Sequence, residues 1–211
     1  MPTRVKICGI TRAEDARLAV DLGASALGFN FYAPSPRYLA PAAARAIALT
    51  LPALVMSVGV FADETESSRV AEAAEAAGVT AIQLHGPRFP ATPDGLLQAY
   101  PLIRALTVGK SFRPEDVRPL RANAFLLDAP DNTLRGGTGK TFDWKLACEA
   151  KRFGPIILAG GLTPENVGQA IREVRPFAVD VASGVESAPG KKDPAKLRAF
   201  FAAVEEADRV H

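Results

Sequence analysis

Eight short apolar runs alternate with Ala-rich or capped helical stretches from one end of the chain to the other, and this alternation constrains the fold more than any other feature. The runs read RVKIC from Arg4, SALGFNF from Ser25, LVMSVGVF from Leu54, TAIQLH from Thr80, LIRALTV from Leu102, AFLLDA from Ala124, PIILAG from Pro155 and FAVDVA from Phe177. Helices are predicted in between and after them, over 12–22, 42–50, 64–77, 93–99, 114–121, 143–152, 164–174 and 194–207. Strand–helix units with short connections imply right-handed crossovers and a parallel sheet, and eight of them close most naturally into a (β/α)8 TIM barrel. The expected organisation is one α/β catalytic domain over residues 1–211. An open doubly wound sheet is the alternative, but no GxGxxG follows any strand to mark a dinucleotide site.

Several helix ends are marked locally. Thr11 and Glu14 stand in capping-box spacing before the first helix, and Gly23 is placed to close it. Asp63 and Asp193 are N-cap candidates, and Pro164 and Pro194 suit first-turn positions.

Composition narrows the function classes. Lys and Arg number 25 against 23 Asp and Glu, a formal net charge of +2, which does not suit a dedicated nucleic-acid binder. Any anion recognition is therefore expected to be local. Cys8 and Cys148 are the two cysteines and form no CxxC pair, which fits a reducing cytoplasm and leaves Cys8 as a free thiol. Charges break the N-terminal apolar residues too early for a signal peptide, and no later apolar run approaches 18 residues, so no membrane partner is expected. The two histidines, His85 and His211, make a multi-His metal site an unsuitable reading.

In a barrel of this kind chemistry gathers at the carboxyl ends of the strands, where the βα loops converge. Cys8 ends the first strand. A free thiol has a pKa of about 8.5, so it needs nearby positive charge to act as a base, and Lys6, two residues earlier on the same face, is one source. The plainer reading is a small buried core thiol. Asp128 ends the apolar run AFLL, a costly place for a carboxylate unless it is solvated, hydrogen-bonded or protonated. It reads equally as a catalytic acid or as a group orienting the following loop. Asp180, between Val179 and Val181, reads first as a structural hydrogen-bonding group.

Glycines carry the anion signal. LAGGLTPENV places Gly160 and Gly161 just before a helix, and VASGVE places Ser183 and Gly184 after the eighth strand; together they form a candidate phosphate cradle of backbone N–H groups. GGTGKT, with Gly136, Gly137 and Gly139, superficially resembles a nucleotide loop but lacks the GxxxxGK[ST] spacing from its first glycine. Arg37, in the Pro-rich loop FYAPSPRYLAP, can grip a carboxylate with two parallel hydrogen bonds or stand in solvent. His85, ending QLH, either touches substrate or is an ordinary hydrogen-bonded histidine.

Taken in order, KICGIT from Lys6, SPRYLAP from Ser35, VGVF from Val58, QLHG from Gln83, LLDA from Leu126, GGTGKTFDW from Gly136, LAGGLTPENV from Leu158 and VDVASGVESAPG from Val179 make the chain similar to phosphoribosylanthranilate isomerases. KICGIT, GGTGKTFDW and SGVESAPG in this order are the specific part. The resemblance implies an Amadori rearrangement of a phosphorylated small-molecule substrate, N-(5′-phosphoribosyl)anthranilate, in tryptophan biosynthesis, without metal or organic cofactor. It implies Cys8 as the base that removes the C2′ proton, Asp128 as the acid that protonates the furanose oxygen, and Arg37 facing the anthranilate carboxylate. Gly160, Gly161, Ser183 and Gly184 match the phosphate-binding region, and the acid and base then need pKa values moved against their solution order.

One segment departs from the pattern: GPRFPATPDGLL from Gly86 lacks the acidic opening often seen after QLHG, which leaves the fourth helix uncertain. Two other ribose-phosphate barrels fit less well. An indoleglycerol-phosphate synthase would offer catalytic Lys and Glu at strand ends, and a metal-dependent sugar-phosphate epimerase would need several histidines. A non-catalytic phosphate-binding barrel is the alternative from another class. Monomer and homodimer stay equally open.

Overall fold

A computed structural model, which describes residues 2–64, 66–86, 89, 95–130 and 142–209, contains a closed barrel of eight parallel strands arranged in chain order. The strands are β1 (Arg4–Cys8), β2 (Ala26–Asn30), β3 (Met56–Ala62), β4 (Ala81–His85), β5 (Leu102–Thr107), β6 (Ala124–Asp128), β7 (Ile156–Leu158) and β8 (Ala178–Val181). Around them lie α1 (Ala13–Asp21), α2 (Pro41–Ala48), α3 (Ser67–Ala77), α4 (Leu96–Ala99), α5 (Trp144–Ala150), α6 (Val167–Val174) and α7 (Pro194–Arg209). A small antiparallel hairpin, β9 (Glu186–Ala188) and β10 (Lys191–Lys192), follows β8. All eight predicted strands are present and the open-sheet alternative falls, because β1 pairs with both β2 and β8.

Period-two alternation divides each strand between two cores. Outward residues such as Ile7, Leu27, Phe29, Leu84, Leu102, Leu127 and Leu158 pack under the helices, where they meet Val70, Ile171, Leu197 and Phe200. Inward residues are smaller: Val58, Val60, Ala81, Ile103, Ala105, Leu126, Ile157, Ala159 and Ala178 fill the barrel. Among them sit polar side chains, Lys6, Gln83 and Asp180, all buried. Lys6 faces Asp180 across the β1–β8 register and donates to its Oδ1 at 2.8 Å. Asp180 thus takes the structural hydrogen bond its position suggested.

Helix ends agree with the sequence reading in part. Gly23, at φ +100°, closes α1: its N–H donates to Val20 O while Ala24 N–H reaches Ala19 O, so two carbonyls at the helix end are satisfied. The expected Thr11–Glu14 capping box is absent. Arg12 precedes α1 without a side-chain cap, Glu14 pairs with Arg12, and the Thr11 hydroxyl donates to Gly190 O, so it fastens the β9–β10 hairpin instead. Asp63 does not cap α3 either; that helix starts at Ser67 after Glu66, and Asp63 has φ +55° at the end of β3.

Asp193 does cap α7, accepting from Ala195 N and Lys196 N at 2.8 and 3.1 Å, with Pro194 as the first helical residue. Pro164 lies in a turn ahead of α6 rather than in it. Thr163 and Asn166 close that turn reciprocally, with Thr163 N–H donating to Asn166 Oδ1 and Asn166 N–H to Thr163 O. The predicted helix 114–121 shrinks to a 3-10 turn, Pro114–Val117, because Pro119 has no N–H with which to continue it. The fourth helix is α4, shorter than expected; residues 93–94, the GGTGKT glycines and His211 lie outside the described residues.

The fully buried Phe200 ring anchors α7 to the barrel. Phe200→Ala is expected to lower unfolding free energy by about 3–5 kcal/mol through lost burial and a residual cavity. Equilibrium urea denaturation measures this. A loss below about 1 kcal/mol, the scale of a surface change, would mean that α7 docking does not hold the barrel.

Candidate active site

The carboxyl ends of the strands surround a cavity of about 920 Å³. Cys8, Arg37, His85, Asp128, Gly160, Gly161, Ser183 and Gly184 all line it, although they come from six different strand ends and loops. The eight positions selected from sequence are therefore brought together. Asn30, Tyr32, Asp63, Gln83 and Asp180 line the same space.

Cys8 ends β1 opposite Gly28 of β2. A Cβ on Gly28 would lie 2.9 Å from Cys8 Sγ and 3.2 Å from Lys6 Nζ, so the missing side chain makes room for both. Lys6 and Cys8 share the inward face, as expected. Burial pushes the Cys8 thiol above its ordinary value, while the ammonium groups of Lys6 and Lys192 pull against that and Asp180 adds to it. Burial also disfavours the Lys6 ammonium, but Asp180 and Cys8 more than offset this, and Lys6 stands above its ordinary value. Its charge is shared between Asp180 and Cys8; it is the strongest group pulling the thiol down, yet burial prevails.

Arg37 makes the two-pronged carboxylate contact that its residue type suggested, but the partner is within the protein. Its Nε donates to Glu186 Oε1 at 2.9 Å and its Nη2 to Oε2 at 2.7 Å. Gly9, at φ +72°, lies beneath this side chain; a Cβ there would come within 2.5 Å of Arg37 Cδ. Glu186 also accepts from Lys192 Nζ at 3.0 Å and from Gly190 N–H at 3.3 Å. Burial opposes ionisation of Glu186, but the Arg37 and Lys192 contacts prevail and hold it below the usual carboxylate range.

The two glycine loops meet backbone to backbone. A Cβ on Gly160, which has φ +81°, would fall 2.1 Å from Ala129 N, and one on Gly184 would fall 1.9 Å from Leu162 O. Asn166 Nδ2 holds Gly161 O at 2.9 Å. These contacts place the loop after β7 directly against the residue that follows Asp128 and against the loop after β8.

Sequence reasoning missed three residues of the site. Glu186 and Lys192 lie in a hairpin whose residues from 186 to 193 are mostly polar or turn-forming, which does not announce burial, yet Lys192 is only 1% exposed. Gln83 is 3% exposed inside β4, and its Oε1 has no hydrogen-bond partner among the described residues. A glutamine between the apolar residues of AIQLH was the available signal. Among the described residues no three His, Cys, Asp or Glu side chains form a metal-holding group, and no helix is long and apolar enough to cross a membrane.

Comparison with known proteins identifies the family. Residues 5–203 match the family described as N-(5′-phosphoribosyl)anthranilate isomerase. The N-(5′-phosphoribosyl)anthranilate isomerase of Pelobacter propionicus is 46% identical over 198 residues, which is 94% of this chain and 93% of that protein. The crystal structure of the phosphoribosyl anthranilate isomerase from Thermus thermophilus superposes with a TM-score of 0.85 at 43% identity, covering 97% of this chain and 99% of the other. A further phosphoribosyl anthranilate isomerase, solved in complex with reduced 1-(o-carboxyphenylamino)-1-deoxyribulose 5-phosphate, has a TM-score of 0.78 at 38% identity, with 97% and 99% covered.

Gly160 and Gly23 both have positive φ, but a Cβ on Gly23 would meet nothing within 4 Å. Gly23→Ala is therefore expected to cost only the left-handed backbone, about 1–2 kcal/mol. Gly160→Ala adds overpacking against Ala129, about 1–3 kcal/mol more. Urea midpoints of the two variants compare them directly, and equal losses would show that the loop after β7 yields freely.

Proposed function

Because the chain belongs to the N-(5′-phosphoribosyl)anthranilate isomerase family, we propose that it performs this family's rearrangement with Cys8 as general base and Asp128 as general acid. The isomerisation itself is its function in tryptophan biosynthesis. The finer reading is an aldose-to-ketose Amadori rearrangement within one molecule. The observation that carries it is the convergence of Cys8, Asp128, Arg37 and the two glycine loops on one cavity.

In this reading the substrate phosphate lies at Gly160, Gly161, Ser183 and Gly184, where close backbone packing presents main-chain N–H groups. Arg37 serves the anthranilate carboxylate while Glu186 fixes its guanidinium plane. His85 and the unpartnered Gln83 Oε1 face the same space and suit the ribose hydroxyls. The phosphorylated relative complex supports this class of ligand.

Asp128 gives its proton to the furanose oxygen as the bond from C1′ to that oxygen breaks, and the anthranilate nitrogen supplies the electron pair that forms a C1′ iminium. The iminium acidifies C2′, whose proton passes to the Cys8 thiolate. The resulting enolamine becomes the ketone when C1′ takes up a proton and the 2′ hydroxyl releases one, which restores thiolate and carboxylic acid. Acid and base approach from β6 and β1, with β7 and β8 between them, so each can hold its own side of the sugar. The reaction belongs in the cytoplasm, where Cys8 stays reduced.

Cys8→Ala and Asp128→Asn are each expected to fold and bind substrate while kcat falls by at least about 10²–10⁴, the usual contribution of one positioned acid or base. The loss of phosphoribosylanthranilate fluorescence after mixing with purified protein measures it. Near-wild-type turnover in either variant removes that residue from its role.

A further inference from the structure

Lys192 is placed where an ammonium is costly and where packing alone gives no reason for one. It is buried, and its Nζ donates to Cys8 O at 2.6 Å, to Ala182 O at 3.1 Å and to Glu186 Oε1 at 3.0 Å. All three ammonium donors are thus used, and one of them clamps the main chain of Cys8. The Glu186 carboxylate that faces Lys192 is shared with Arg37, so a single negative charge serves two cations. Lys6, by contrast, has Asp180 to itself within the described ion pairs.

The groups around Cys8 come from every neighbouring element. Lys6 is on β1, Asp180 on β8, Arg37 in the loop after β2, Glu186 on β9 and Lys192 on β10. Asp15, in α1, accepts the main-chain N–H of Lys192 at 3.0 Å rather than its ammonium. Asp128, His85 and Asp63 line the cavity from β6, β4 and the end of β3.

We propose that Lys192 is a positioning residue that helps set the ionisation of Cys8: held by Glu186 and fixed against the Cys8 carbonyl, its ammonium adds to the positive potential of Lys6, part of which Asp180 cancels. The proposal rests on Cys8 as the proton-carrying group of the site. Electrostatic coupling runs both ways, since Lys192 favours the thiolate and Cys8 favours the charged form of Lys192, against the burial that lowers Lys192 overall. Glu186 has the opposite sign: it holds Lys192 and Arg37 in place but cancels part of their charge. Removing Lys192 should therefore make the thiol harder to ionise, and removing the charge of Glu186 should make it easier.

The opposition of sign separates this role from a fastening role. The alkylation rate of Cys8 by iodoacetamide would be measured from about pH 6.5 to about pH 11.5, about two units below to about three units above an ordinary thiol because this one is raised, in a Cys148→Ser background that removes the only other cysteine. Lys192→Met is expected to shift the half-maximal pH upward by about one unit, a tenfold smaller thiolate fraction at neutral pH, and Glu186→Gln to shift it downward. Lys192→Arg, which keeps the charge, should restore most of the profile. If both charge-removing variants move the profile in the same direction, or neither moves it, Lys192 is only a fastener and the proposal fails. Should Lys192→Met not fold, the sign in Glu186→Gln decides alone: a downward shift supports the proposal, and no shift or an upward one overturns it. Alkylation needs no turnover, so an active Cys8→Ala enzyme would remove the base assignment without touching this result.

Discussion

The pairing of β1 with β8 joins residues 174 positions apart, as in the contact of Lys6 with Asp180, and every feature of the site inherits its geometry from that closure. A parallel sheet of this size could have remained open, with β1 as an edge. Closure instead sets the inward residues of each strand at a fixed height, so that Cys8, His85 and Asp128 reach the same rim from β1, β4 and β6. It also brings the loop after β8 over the end of β1. Only then can Lys192 reach the carbonyl of Cys8 and Thr11 reach Gly190.

The closure seam is also where most of the barrel's buried charge lies. Lys6, Asp180, Glu186 and Lys192 are all buried, whereas the opposite interior is filled by Ile103, Ala105, Ala124, Leu126 and Ile157. Buried ion pairs seldom stabilise a fold beyond what apolar residues of similar volume would, because desolvation consumes most of the attraction. Breaking one by removing a single partner is nonetheless costly, about 3–5 kcal/mol. The concentration of charge at one seam, beside the only cysteine of the interior, thus points to chemistry and not to stability as its reason.

These distinctions explain what the amino-acid order made legible. Strands and barrel class were readable because burial on both faces leaves a local trace in each apolar run, and Gly23 and Asp193 because their hydrogen bonds are made within a few residues. Thr11 and Asp63 misled for the same reason in reverse: each has capping chemistry, but a partner or a backbone conformation set elsewhere overrides it. Cys8, Asp128 and the glycines could be selected because strand ends are where a barrel keeps its chemistry. Glu186 and Lys192 could not, since a hairpin reading ESAPGKKD looks like a solvated turn until closure buries it. Arg37 was half legible: its geometry followed from the guanidinium, its partner only from the fold.

In the proposed reaction, the burial that makes Cys8 hard to ionise is part of what would make it useful. Desolvation strengthens each electrostatic contact at Cys8, but it also raises the thiol, so it works against the base role proposed for that residue. Lys6 does not resolve this conflict alone, because Asp180 takes back part of the support that Lys6 gives the thiolate. An ammonium whose carboxylate partner is drawn also toward Arg37 leaves positive potential unspent at the thiol.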